Sequence, residues 1–202
     1  LGFSQIEGWP SVFLNHSTRV LLISYVDDFK IAGPKAAVKA LWRDLKKADN
    51  ETTENKIDLD EPGKSGRFLG CEHEHYVKDK KAFHRWTMKA FMKQCVQRYL
   101  DLCPGKVTLK HVDTPFLNEE NLSDEDRQAT GVLHTEAAKI LMKILYGARM
   151  ARPDLLRAVC GLASDISKWT IACDKRLFRL VCYINSSLDY ALEGWMDEDT
   201  TP

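Results

Sequence analysis

Residues 21–33 read L-L-I-S-Y-V-D-D-F-K-I-A-G, two aspartates set between two apolar runs. Val20 to Val26 is apolar and largely β-branched apart from Ser24 and Tyr25, as suits a strand buried on both faces. Phe29 to Ala32 resumes that pattern, and Gly33-Pro34 then stops it and opens a helix, because proline is tolerated in a first helical turn. The joint between the two runs carries the interest. Aspartate is an ordinary turn residue, so the pair by itself needs no chemical role. Yet two adjacent carboxylates without Gly or Asn make a poor two-residue hairpin, since the preferred primed turns want positive φ. Like charges at an apolar tip also repel unless a cation neutralises them, and hard divalent cations are what carboxylates bind.

Outward from this joint, Val38, Leu41, Trp42 and Leu45 fall at helical spacing with lysines and arginines between them, predicting an amphipathic helix with a basic outer face. Ile57-Asp58-Leu59 and a Pro62-Gly63 turn lead to a strand from Arg67 to about Val77. A turn at Lys78 to Lys81 then returns through Ala82 to Trp86 as a hairpin. From Thr87, a candidate cap, the period becomes helical, with Met88, Phe91, Cys95 and Tyr99 on one face. Residues 102–122 hold Pro104, Gly105 and Pro115 and read as a connecting loop. Ser123-x-x-Asp126 resembles a capping box, followed by three amphipathic stretches, Leu133 to Met150, Asp154 to Trp169 and Asp174 to Ser187. Strands followed by helices predict an α+β fold, with residues 1–101 mixed, 102–122 connecting and 123–202 helical.

The chain has 202 residues, and 29 basic side chains balance 29 acidic ones, which excludes a uniformly basic nucleic-acid binder. Six scattered cysteines without a C-x-x-C pair read as reduced core thiols of an intracellular protein. Charges interrupt every apolar run, so no membrane helix is expected. A chain that starts at Leu1 and soon reaches a strand-like run reads as a fragment.

Tyr25-Val26-Asp27-Asp28, with an apolar strand before it and Ile31-Ala32-Gly33 after it, resembles the polymerase active-site motif of reverse transcriptases, in the form used by copia-type retrotransposons. Further landmarks come in the family's order. Gly2-Phe3 and Trp9-Pro10-Ser11-Val12-Phe13 look like the segment ahead of the motif. Phe68-Leu69-Gly70 looks like the primer-grip hairpin, and Asp113-Thr114-Pro115 like the connecting loop. Tyr146-Gly147 and Ala151-Arg152-Pro153-Asp154 resemble the thumb helices.

The resemblance implies the second half of a palm with antiparallel strands carrying the Y-V-D-D hairpin, a primer grip, and a helical thumb or connection. Asp27 and Asp28 would be catalytic and would bind Mg²⁺, with Mn²⁺ as a substitute, for two-metal nucleotidyl transfer. Tyr25 and Val26 would lie against the primer terminus, and Phe68, Leu69 and Gly70 would position its 3′ end, the glycine allowing close backbone approach. Lys81, Arg85 and Lys89 belong to a basic stripe from Lys78 to Arg98 that would contact phosphates of an RNA/DNA primer-template. A deoxynucleotide would bind only with an upstream half supplied, because the family needs another aspartate and nucleotide-binding fingers, which nothing before residue 20 provides. Lys30 replaces a usual apolar residue and Ala151 a usual threonine. The expectation is a polymerase fragment inactive alone. The alternatives are a decayed or domesticated fragment that only binds nucleic acid, and a non-catalytic α+β interaction domain. Cys71-x-His73-x-His75 is read as structural, since zinc sites favour other spacings, and Arg149 and Arg152 as reaching either a duplex or nearby carboxylates.

Overall fold

The computed structural model describes residues 1–26, 28–48, 63 and 66–197; the Ile57-Asp58-Leu59 run and Pro62 lie outside them. The chain is α+β and divides into two compact units, Leu1–Phe68 and Leu69–Pro202.

In the first unit, strands β1 (Ser4–Ile6), β2 (Trp9–Asn15), β3 (Val20–Tyr25) and β4 (Asp28–Ala32) form an antiparallel sheet in that spatial order. Sequence reading gave bounded elements only from Val20 onward, noting no more than a strand-like run soon after Leu1. The structure accommodates Pro10, which has no N–H for a ladder, where β2 has no partner on β3, since that pairing begins at Val12. Asn15 is buried and closes the β2–β3 connection. Its Oδ1 accepts from Thr18 N at 3.0 Å and Ser17 Oγ at 2.7 Å. β3 is half-buried along most of its length rather than buried on both faces as its composition suggests. Helix α1 (Lys35–Ala48) follows, and Pro34 stands just ahead of it with its carbonyl accepting from Val38 N at 3.0 Å. Gly33 fits its corner because a Cβ there would lie 2.9 Å from Arg19 O. The short β5 (Arg67–Phe68) ends this unit.

In the second unit, β6 (Cys71–Lys78), β7 (Lys81–Thr87) and β8 (Leu192–Asp197) are antiparallel, with β7 between the other two. β8 corrects the expectation of an all-helical C-terminal part. Its Leu-Glu-Gly-Trp-Met-Asp pattern carries little local strand signal, and pairing to β7 is what makes it a strand. Thr87 ends β7 and its Oγ1 accepts from Lys89 N at 3.3 Å, so it supports the start of α2 (Lys89–Leu102) from one position ahead of the cap. Residues 102–122 run along the helices rather than free of them, with Val112 N donating to Ser186 Oγ at 3.0 Å and Arg179 Nε to Thr114 O at 2.9 Å. The Ser123–Asp126 capping box is present at α3 (Asp124–Gln128). Helices α4 (Ala137–Ala151), α5 (Leu156–Ser164) and α6 (Ile171–Ser186) pack with α2 around one core. Leu155, Val159, Leu162 and Trp169 from the expected stripe are buried in it, although the helix breaks at Asp165. Gly147 permits the approach of α2, because a Cβ there would fall 2.3 Å from Met92 Cε and 3.1 Å from the Phe91 ring.

Arg152 is 1% exposed at the end of α4. Its guanidinium grips Asp154 at 2.9 and 2.8 Å and donates to Ser187 O at 2.9 Å and Ser187 Oγ at 2.7 Å. Tyr183 and Tyr190 present their rings to it at 5.9 and 5.4 Å. The Tyr183 hydroxyl completes the cluster by donating to Asp154 Oδ2 at 3.1 Å. Of the two destinations read for Arg152 from sequence, it takes the carboxylate. Asp154→Ala should lower the stability of this unit by about 3 kcal/mol in urea unfolding, because it leaves a buried cation without its counter-charge.

The acidic segment docks similarly on α6. Arg176 forks onto Glu119 at 2.9 and 2.7 Å and Lys175 meets Asp126. The Arg176 hydrogen bond holds the Glu119 carboxyl below its ordinary value of 4.5, and the Lys175 bond does the same to Asp126 from 3.8. Groups with lowered folded pKa give their full stabilisation above the ordinary value and lose it as pH falls through the folded one. Acid unfolding should therefore steepen below about pH 4.5, and Glu119→Gln should flatten that limb in a pH series of urea midpoints.

Candidate active site and nucleic-acid interface

Period-2 alternation and the β3–β4 register place the residues of the motif. Leu21 pairs with Ala32, Ile23 with Lys30 and Tyr25 with Asp28, so these six side chains share one face. Val26 follows the last residue of β3, and Asp28 is the first residue of β4. Asp27 lies outside the described residues. Val26 has φ +52° and is 79% exposed. A β-branched residue in the left-handed region is strained, and an apolar side chain held out in water at that position gains nothing from burial. Tyr25 and Asp28 are also exposed beside it.

Lys30, two residues along the same face from Asp28, has its ammonium 5.6 Å from the centre of the Phe68 ring. The departure noted in the sequence thus has a partner, and it brings Phe68 to the strand that carries Asp28. Leu69 and Gly70 belong to the second unit and turn the chain into β6, with φ +51° and +76°. A Cβ on Gly70 would meet nothing within 4 Å, so within this chain its left-handed backbone, not crowding, calls for glycine. Tyr146 on α4 donates to Leu69 O at 2.6 Å and leans on Phe91, whose ring also faces Lys143 at 5.3 Å. Sequence reading placed Tyr146 on a helix but gave it no part in a site; its half-exposed hydroxyl on a turn 77 residues earlier is a long-range contact that no local pattern encodes.

Among the cations of the basic stripe, Arg85 faces Glu74 at 3.7 Å and donates to Asp189 O at 3.1 Å, and Lys89 pairs with Asp189. The Lys81 ammonium sits 5.7 Å from the Trp195 ring centre. The stripe is thus broken into pairs by acidic residues from β6 and from the approach to β8, which sequence order keeps apart. His73 meets His84 across the strands at 3.1 Å and Cys71 is buried; among the described residues no group of three or more His, Cys, Asp or Glu is placed to hold a metal ion. All six cysteines are free, but Cys160 is exposed and so is not the core thiol expected. No helix among the described residues is long and apolar enough to cross a membrane.

The chain matches no family model, no curated protein and no solved structure. What it has is an α+β fold whose first sheet presents a strained, exposed tip flanked by Tyr25 and Asp28. Replacing Val26 with asparagine, which tolerates a left-handed backbone, should raise stability by about 1 kcal/mol in guanidinium unfolding. A stabilising effect would identify Val26 as a residue retained at a cost to the fold.

Proposed function

We propose that this chain is part of an RNA-directed DNA polymerase, a reverse transcriptase of the copia type, and carries one portion of its nucleotidyl-transfer site. The observation that carries the reading is the strained, exposed Val26, immediately before the two aspartates and next to the last strand pair, Tyr25 with Asp28. Backbone strain persists where something other than stability retains it. The order of landmarks along the sequence supports the same reading.

In this reading Tyr25 and Val26 meet the primer terminus as exposed apolar surface, and Asp27 and Asp28 supply anionic oxygens beside it. The donor set fits magnesium, which is usually held by one or two carboxylates together with substrate phosphates rather than by an all-protein cage. Two such ions, when bound, stabilise the attacking and leaving oxygens of an in-line displacement. Phe68, Leu69 and Gly70 position the primer's 3′ end, and the Tyr146 hydroxyl fixes the Leu69 carbonyl and with it the turn. Lys81, Arg85 and Lys89 contribute at the phosphate backbone. Template copying is assigned to this chain together with an upstream half that supplies the nucleotide-binding fingers and a further aspartate.

The test is calorimetric titration of Mn²⁺ into the chain with a primer-template duplex present, set against the Asp27→Asn/Asp28→Asn double variant. Metal affinity at least tenfold weaker in the variant is expected. Equal binding, or none in either, would reduce the tip to an inert hairpin and overturn the reading.

A further inference from the structure

We propose that His73 and His84 form a cross-strand site for a borderline divalent transition-metal ion such as Zn²⁺, separate from the magnesium site read at Asp27 and Asp28. Register on β6 and β7 puts Cys71, His73 and His75 on one face, with His84 opposite His75 and Trp86 opposite His73. His73 and His84 are thus diagonal neighbours, and Nδ1 of His73 lies 3.1 Å from Nε2 of His84. Two nitrogens that far apart, each about 2 Å from one ion, subtend about 100° at it, between the square-planar and tetrahedral angles. A hydrogen bond between neutral imidazoles uses the same two nitrogens, one as donor and one as acceptor. The ion takes both lone pairs instead, and each ring keeps its proton on the far nitrogen.

Packing fixes the ring orientations before any ion arrives. His84 is stacked on Trp86, with 4.1 Å between centres and 17° between planes, and His75 stands edge-on to it at 4.0 Å. Trp86 packs against the helical core and lies edge-on to His73 at 6.3 Å. Ligands held on paired strands by such packing lose little freedom on binding, which favours this pair over two loose surface histidines. Both rings are half-buried, which leaves room for water on the ion's remaining positions. The pair is not the one that sequence spacing offered. Cys71-x-His73-x-His75 contributes only His73, because Cys71 is 1% exposed and donates to Glu72 O at 3.8 Å, while the second nitrogen comes from the neighbouring strand. Among the described residues no third His, Cys, Asp or Glu is placed to complete the set. Imidazole selects zinc or copper over magnesium, and two protein ligands give micromolar affinity rather than that of a closed structural site.

The experiment is titration of Zn²⁺ into the full chain without nucleic acid, followed by calorimetry and by proton–nitrogen correlation spectra of the histidine side chains. One equivalent should bind and move the resonances of His73 Nδ1 and His84 Nε2. His73→Ala should weaken binding about tenfold or more. His84→Phe, which keeps a ring to stack on Trp86 but removes the nitrogen, should weaken it equally while leaving the urea midpoint in EDTA close to that of the unaltered chain. Cys160→Ser, which removes the exposed thiol, should leave zinc affinity unchanged. Affinity retained in both histidine variants, histidine nitrogens unmoved by zinc, or binding lost in Cys160→Ser would overturn the proposal and leave the pair as an ordinary hydrogen bond.

Discussion

A guanidinium taken out of water is costly unless every donor is met, and in the second unit the Arg152 guanidinium decides where several segments go. Asp154 must stand two residues on, which Pro153 makes easy by starting a tight turn at once after α4. Ser187 must close α6 at the same point, and Tyr183 and Tyr190 must flank it. With the end of α6 and Tyr190 fixed, the chain leaves the helices in the direction that lays β8 along β7. The Ala-Arg-Pro-Asp sequence is thus a structural device first, whatever the chain acts on.

Strain is distributed unevenly, and its places are informative. Turns after β3, before β6 and between β6 and β7 all use left-handed residues, as the right-handed twist of paired strands requires. Glycine meets that need at Gly70 without cost. Val26, Leu69, Asp79 and Lys80 meet it with side chains that asparagine or glycine would serve better. Two of them, Val26 and Leu69, are apolar and fall in the two segments that the polymerase reading puts at the primer terminus, while the other two carry the charged turn between β6 and β7.

Electrostatics redistributes the net-neutral sequence in a way that matters for any nucleic-acid role. Glu119 is engaged by Arg127 and Arg176 and Asp126 by Lys175, and Asp189 engages Arg85 and Lys89. The middle of the expected basic stripe is therefore partly neutralised. Exposed pairs of this sort add little stability and weaken with salt, so their larger effect is on where a polyanion can approach.

The local elements were legible because their signals are local. Helical spacing exposed α1, α2, α4 and α6, the capping box announced α3, and apolar runs around Asp27-Asp28 gave β3 and β4, each from residues within a few positions of one another. The Tyr25–Asp28 neighbourhood was legible for the same reason, and pairing sets Tyr25 opposite Asp28. Tertiary structure alone decided β1, β2 and β8, the burial of Arg152, the Tyr146 contact to Leu69 and the row of Tyr76, Phe83 and Trp195 across three strands. Each joins residues far apart in sequence, and a contact of that kind is written in the complementarity of two distant surfaces, which a one-dimensional pattern does not display.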